Sequence, residues 1–448
     1  MGERLLSVGL DVGTTSTQMV VSELEIENQA GSFSVPQMQI TGRKVIYRSP
    51  VHFTPLLNEE LVDGEGIRRI VDEEYCRAGI RKEDVDTGAV IITGETSRKE
   101  NARAVLGALA DYAGDFVVAT AGPDLESRLA AKGAGATEYA QQTGKRVLHM
   151  DIGGGTSNLA LIEDGKIVAT GCLNVGGRLL KMDGTGRITY VSAVVRGLFP
   201  KDVGESATQE EVLALAKILA EVLEMAAGLR PADERLRAFQ TMEAGAMVPP
   251  AGAVISFSGG VADCIEMPKK WLQYGDLGPE LGRAIRESRL CQGPYVLGQE
   301  TIRATVIGAG CHSAQLSGST VFYRNVEFPL KNLPVVPWDG EKTESAYCGL
   351  DSDGVIALKG SAGAGYEQVA ELADRIAGME IQPLYLAVEA DMAKALGQQL
   401  ALRLGMDARI LCIDRVALEE GMYLDVGAPV GPALPVVVKT LVTASGRR

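Results

Sequence analysis

LLSVGLDVGTTSTQMVVSEL (5–24) and RVLHMDIGGGTSNLALIEDGKIVAT (146–170) are the two stretches whose reading decides the fold. Each is an apolar run, a polar Gly/Thr/Ser turn and a second apolar run, the pattern of a β-hairpin. They superpose at a constant offset of 140 residues, Asp11 on Asp151, Val12 on Ile152, Gly13 on Gly153, Thr15 on Gly155 and Ser16 on Thr156. The flanking apolar residues match too, Leu10 with Met150, Met19 with Leu159 and Val21 with Leu161. Two copies of one unit predict two facing lobes.

Outward from the hairpins the chain reads as α/β. In the second copy the Glu163-Asp164-Gly165 turn leads into a third strand. Residues 25–60 are mixed, with strand-like VIYRSPVHF; 63–79 read as a helix, and GAVIITG (88–94) as a buried strand feeding a helix over about 97–112. DFVVAT (115–120) is another strand, followed by a helix over 124–132. ATQEEVLALAKILAEVLEMAAG (207–228) is an amphipathic helix, opened by a capping box of Thr208 and Glu211 and closed by Gly228. AVISFSGGVADCI (253–265) reads as strand, Gly-Gly turn and helix start, and TVIGAGCHSAQL (305–316) as a repeat of that arrangement. From residue 317 a Pro-rich stretch gives way to the strands VIALKG, PLYLAVE, ARILCIDRV and PVVVKTLV around helices near 364–378 and 390–404, a separate C-terminal α/β domain. The acidic EEGMYLD (419–425) reads as a solvated turn.

Composition narrows the function. The 448 residues suffice for about three domains at roughly 150 residues each. A net charge of −14 argues against nucleic acid or an anionic membrane as the main partner. No apolar run reaches the roughly 18 residues of a membrane span, and the N-terminus lacks a basic segment followed by an apolar one, so a cytoplasmic protein is expected. Seven dispersed cysteines without a CxxC pair fit reduced thiols, and three distant histidines give neither a zinc motif nor a Ser/His/Asp triad. His149, in an apolar strand, is expected to be a satisfied core histidine, and His52 to pack under a loop.

The chemistry sits in the turns. A strand that ends in Asp and turns through Gly, Thr and Ser presents backbone N–H groups and hydroxyls as an anion nest. The first turn offers Gly13, Thr14, Thr15 and Ser16; the second Gly153, Gly154, Gly155 and Thr156. An adjacent carboxylate repels phosphate unless a hard cation intervenes, and Mg²⁺ held by one or two carboxylates supplies that bridge. Asp11 and Asp151 converging on one metal would therefore grip a Mg–polyphosphate. Ser258, Gly259, Gly260 and Val261, at a strand end, allow backbone to approach a flat base or ribose. Taken singly, an Asp-x-Gly-Thr turn is an ordinary hairpin cap and Gly259-Gly260 an ordinary tight turn. The ordered set of three, with the first two in duplicate, points to function.

These segments resemble the phosphate-1, phosphate-2 and adenosine motifs of the actin, sugar-kinase and heat-shock-chaperone superfamily, and TVIGAG (305–310) resembles its second connecting segment. Within it the chain is similar to the reactivating factors of ethanolamine ammonia-lyase, the EutA family, through SPVHFTPL (49–56), GAVIITGETSRKENAR (88–103), DFVVATAGPDLES (115–127), KGAGA (132–136) and PVVVKTLV (435–442). The resemblance implies an actin-like, ribonuclease H-like duplicated ATPase fold with an additional C-terminal α/β domain. The implied units are lobe I at 1–146 with an inserted part at about 25–85, lobe II at 147–316 with a helical insertion at about 185–250, and the C-terminal domain at 317–448. It also implies ATP/ADP and Mg²⁺ as cofactors. The implied activity is reactivation of ethanolamine ammonia-lyase by exchange of damaged cobalamin for adenosylcobalamin, with association to an ethanolamine-utilization microcompartment open. Oligomeric state is not legible.

Where the heat-shock chaperones place a water-positioning glutamate before a proline, this chain has Gly122-Pro123. Glu95 and Glu126 are the replacement candidates by reach, the chaperones' phosphate-contacting lysine has no evident match although Lys99 lies on a neighbouring helix, and hydrolysis is expected to be slow. Two rival readings use the same turns: a small-molecule kinase of the sugar-kinase branch, for which no further acid is evident in either hairpin, and an actin-like adaptor whose nucleotide sets assembly state.

Overall fold

The computed structural model describes residues 3–13, 16–28, 38–58, 61–93, 101, 109, 118–120, 123–241, 252–312, 315–316, 321–338, 353–361, 363–379, 381–416, 418, 422–427, 429 and 434–440. The helix expected over 97–112 lies outside them, residues 101 and 109 apart.

The first hairpin is β1 (Glu3–Val12) and β2 (Ser16–Asn28), antiparallel in the register Asp11 opposite Gln18 and Val12 opposite Thr17. The mixed stretch that follows becomes β3 (Met38–Arg48) and the short β4 (His52–Phe53), both paired to β2. β5 (Thr87–Ile92) and β6 (Val118–Thr120) add in parallel, giving the order β3-β2-β1-β5-β6. β1 and β5 are near-continuously apolar because the sheet is covered on both faces. The helix Gly64–Ala78, capped by Asp63 and ended by Gly79 at positive φ, packs Ile67, Val71 and Tyr75 against Val8, Leu10 and Val90.

The second sheet repeats the plan. β7 (Val147–Ile152) and β8 (Ser157–Glu163) form a hairpin with Asp151 opposite Asn158, and β9 (Lys166–Leu173) follows beyond the expected turn. β10 (Leu180–Met182) and β11 (Ile188–Val191) make a separate ribbon. β12 (Val254–Ser258) and β13 (Tyr295–Leu297) then add in parallel, so the order reads β9-β8-β7-β12-β13. Strand for strand this is the first sheet again: three antiparallel strands, then two parallel. The α/β architecture is thus the ribonuclease H-like duplication of the actin-like fold. The helix Gln209–Ala226 carries the expected capping box, Thr208 with Glu211, and buries Val212, Leu215, Leu219 and Leu223 against the second sheet's core.

One expectation fails instructively. TVIGAG is not strand and turn but the body of a helix, Ala304–His312, packed on β1 and on the helix Pro123–Gly133. A Cβ on Gly308 would lie 2.0 Å from the Leu129 carbonyl oxygen, so the glycine spacing serves helix-to-backbone contact instead of a turn.

The remaining strands, β14 (Gln315–Leu316), β15 (Phe322–Arg324), β16 (Leu330–Pro337), β17 (Val355–Leu358), β18 (Leu384–Val388), β19 (Ile410–Asp414), β20 (Met422–Val426) and β21 (Pro435–Thr440), form one mixed sheet. Alternate residues serve opposite faces. Ile356 and Leu386 pack under the helices Tyr366–Ala377 and Ala393–Leu404, while Val355 and Tyr385 meet Leu424 and Val436 on the other side. MYLD of the acidic stretch is therefore part of strand β20, with Leu424 and Asp425 buried, and not a solvated turn.

Candidate functional site

The two hairpin turns meet across one cleft of about 480 Å³. Asp11, Gly13, Ser16, Asp151, Gly153, Gly154, Gly155, Thr156, Gly259, Gly260, Val261 and Glu126 all line it. Thr14, Thr15, Glu95, Lys99 and Gly122 lie outside the described residues.

Equivalence extends to atoms. Gly13 N–H donates to the Ser16 carbonyl at 2.9 Å and Gly153 N–H to the Thr156 carbonyl at 2.9 Å, closing both turns identically. Each aspartate ends its strand and takes a hydroxyl bond from the neighbouring parallel strand or its end: Thr93 Oγ1 donates to Asp11 Oδ1 at 3.0 Å, and Ser258 Oγ to Asp151 Oδ1. Thr305 Oγ1, on the helix Ala304–His312, adds a 3.4 Å contact to Asp151 Oδ2.

Ser258 is therefore not a lining residue of the cleft as the sequence suggested. It is fully buried one layer beneath, between Asp151 and His149 Nε2 at 2.9 Å. Since its single hydroxyl proton goes to the carboxylate, His149 donates through Nε2 and accepts from Ser256 at Nδ1, 3.0 Å away. Burial holds His149 neutral, its pKa down at about 3, as expected of a satisfied core histidine.

Gly259 is the position where glycine is obligatory. Its φ is +87°, and a Cβ would lie 2.3 Å from the Ile152 carbonyl oxygen. β12 and β7 can thus end side by side at the cleft floor, where Val261 N–H reaches the same carbonyl at 3.2 Å.

Electrostatics set the chemistry. Burial, and to a lesser degree the charge of Asp151, push the Asp11 carboxyl up to about 7 against the opposing pull of Thr93. Burial pushes Asp151 to about 6, with Ser258 and Thr305 pulling it down. Two desolvated carboxylates that repel each other form a site a hard cation would relieve. Among the described residues no group of three or more His, Cys, Asp or Glu side chains converges, and a pair of carboxylates suits a hard cation that keeps several of its waters. That pattern fits Mg²⁺.

Several lining residues escaped the sequence reading. His52 does not pack under a loop; it lines the cleft, its Nε2 2.9 Å from the fully buried Glu74 Oε1. SPVHFTPL wraps the first hairpin: Ser49 Oγ accepts from Met19 N–H at 2.9 Å, and Thr54 Oγ1 donates to the Gly13 carbonyl at 2.8 Å. Phe53, 77% exposed, lies under the Arg178 guanidinium with 5.8 Å to the ring centroid, and Arg178 pairs with Asp276 at 3.3 Å. Gln18 and Asn158 face the cleft as the cross-strand partners of the two aspartates. They obey the 140-residue offset, the signal that could have found them.

Comparison with known proteins agrees over the whole length. The family described as Ethanolamine utilisation protein EutA matches residues 3–444. The ethanolamine ammonia-lyase reactivases EutA of Escherichia coli (strain K12) and of Salmonella typhimurium (strain LT2) are each 38% identical to this chain, over 98% of it and 98% of their own length. Among solved structures, the ethanolamine utilization protein EutJ from Carboxydothermus hydrogenoformans aligns with 68% of this chain and 89% of its own, at 18% identity and a TM-score of 0.35, too distant to inform the site. No helix of the described residues is long and apolar enough to cross a membrane. The duplicated hairpins, the cleft between them and the full-length match together make this chain a member of the EutA family of ethanolamine utilisation proteins.

Proposed function

We propose that this protein reactivates ethanolamine ammonia-lyase, the function named for its relatives in Escherichia coli and Salmonella typhimurium, and that it does so by binding a Mg–adenine nucleotide between lobes at 1–146 and 147–316. The observation that carries the nucleotide reading is the facing pair of identical turns, each with its own desolvated carboxylate. Gly13, Thr14, Thr15 and Ser16 hold phosphate oxygens from one side, and Gly153 to Thr156 from the other. Gly259, Gly260 and Val261 carry the adenosine. Asp11 and Asp151 hold Mg²⁺, which when bound neutralises phosphate charge that the two carboxylates would otherwise repel. Glu126, on the cleft wall, and Glu95 are the candidates to orient water, and turnover is slow.

Nucleotide bound to both lobes favours the closed cleft, and lobe position in turn biases affinity for the lyase. The coupling is reciprocal, so the lyase changes nucleotide affinity. Release of damaged cobalamin and entry of adenosylcobalamin follow from that coupling.

The test is recovery of activity from lyase inactivated during turnover, incubated with this protein, adenosylcobalamin and Mg²⁺, with and without ATP. ATP-dependent recovery that Asp11→Ala abolishes supports the reading. No recovery beside intact nucleotide binding overturns it and favours the kinase or adaptor alternatives, whereas recovery independent of ATP keeps reactivation and overturns the role given to the nucleotide cleft.

A further inference from the structure

Five carboxylates line the cleft, Asp11, Glu126, Asp151, Asp263 and Asp276, and among the described residues Arg178 is the only lysine or arginine that does. A polyphosphate carries more negative charge than one Mg²⁺ offsets, so a fixed cation in that space favours its binding.

Main-chain bonds place this cation between the two turns. Gly177 N–H donates to the Gly153 carbonyl at 3.0 Å and Arg178 N–H to the Gly154 carbonyl at 2.7 Å, fastening its backbone to the second turn. From there the side chain crosses to the first lobe, where the guanidinium carbon stands 5.8 Å from the centroid of the Phe53 ring. Phe53 in turn pairs with Ser16, whose carbonyl closes the first turn. An arginine anchored at one turn and ending beside the neighbour of the other spans the space that both turns face.

The guanidinium is held but not used up. Nε lies 3.3 Å from Asp276 Oδ2, and Asp276 is itself fixed by the Gly278 N–H, which donates to Oδ1 at 2.9 Å. Beyond that pair and the Phe53 ring, the guanidinium meets no acceptor among the described residues, and 28% of the side chain is exposed. Arginine carries five N–H donors, so most of them remain for a ligand. A planar fork fixed at one edge and stacked on a ring is preorganised to give paired bonds to phosphate oxygens. Ribose and base carry no charge and gain far less from it.

We propose that Arg178 is the phosphate-binding cation of the cleft, donating through its Nη groups to polyphosphate oxygens between the two turns while Asp276 and Phe53 hold its plane. This rests on the polyphosphate part of the proposed function but not on adenine.

The test is calorimetric titration of the full-length protein with adenosine, Mg–ADP, Mg–ATP and Mg–tripolyphosphate. Arg178→Gln is expected to weaken the three phosphate ligands about 10- to 100-fold and to leave adenosine unchanged. Arg178→Lys, which keeps the charge and loses the fork, should recover part of that loss. Asp276→Asn keeps an acceptor oxygen for Gly278 and removes a competing carboxylate, so it should tighten the phosphate ligands about two- to threefold. An ion pair that serves only the fold would make Arg178→Gln and Asp276→Asn lower the melting temperature together and weaken binding together, and that result overturns the proposal. A loss that falls on adenosine as heavily as on Mg–ADP also overturns it, by placing Arg178 on the ribose or base. Unchanged affinity of Arg178→Gln for Mg–ATP, beside intact wild-type binding, overturns it and leaves the nucleotide reading standing. Arg178-dependent binding of Mg–tripolyphosphate without any binding of Mg–ADP or Mg–ATP keeps the role of the arginine and removes the nucleotide reading. Failure of all three phosphate ligands to bind the wild-type protein overturns both.

Discussion

The first hairpin and the second share a register to the residue and differ in what surrounds their aspartates. Asp11 has one hydroxyl donor, Thr93, and rises to about 7. Asp151 has two, Ser258 and Thr305, backed by the relay through His149 to Ser256, and rises to about 6. Duplication copied the backbone; the later strands and the helix Ala304–His312 made the copies unequal. Asp151 is the carboxylate better prepared for charge, and in the proposed cation site Asp11 would be the one to give up its proton on loading.

The largest expected effect breaks the second copy alone. Gly259→Val forces a β-branched side chain to a φ of +87° and into the Ile152 backbone, and should cost on the order of 3–5 kcal/mol in denaturant unfolding of the second lobe. Next come the charges. Asp151→Ala is expected to reduce Mg-dependent nucleotide affinity about 10–100-fold by calorimetry, and Asp11→Ala by a similar or smaller factor.

A subtler effect concerns stability and pH. Both carboxyls have folded values raised above the ordinary aspartate range, so their contribution to stability is fully present at low pH and is lost as pH rises toward about 6 for Asp151 and about 7 for Asp11. Asp151→Asn should therefore stabilise the ligand-free protein at pH 8 by on the order of 1–2 kcal/mol, by roughly half as much at pH 5 and by little below about pH 4, while weakening nucleotide binding. By the same sign, Mg-dependent affinity in the wild type should fall as pH drops below about 7, where Asp11 takes up a proton. The smallest expected effect is that of Ser258→Ala, about 1 kcal/mol of stability with a further rise in the Asp151 pKa, read by the pH dependence of Mn²⁺ binding. A Thr93→Ala variant that moves Mn²⁺ binding more than Ser258→Ala does would reverse the proposed inequality of the copies.

The duplicated turns were legible because similar chemistry recurs in the same order 140 residues apart, and the strands were legible from their apolar runs, whereas the order in which they pair is seen only in the folded chain. TVIGAG was misread because Gly-Ala-Gly signals a turn locally, whereas its meaning here is close approach to Leu129 and Gly9, which only the folded chain shows. EEGMYLD misled for a related reason: its acids suggest solvent, but Asp425 is carried inward by strand pairing with β16 and β21. Thr93 and Thr305 come from elements remote in sequence, and no local pattern marks them. Gln18 and Asn158 were within reach of the same offset that found the aspartates.

The central claim is that the two hairpins form one site, and a double-mutant cycle tests it most directly. Calorimetric titration of Mg–ADP into the wild type, Asp11→Ala, Asp151→Ala and the double variant should give losses that are strongly non-additive, the double variant binding little worse than the weaker single one. Losses that simply add would mean that the two aspartates act on separate ligands, and would contradict the account.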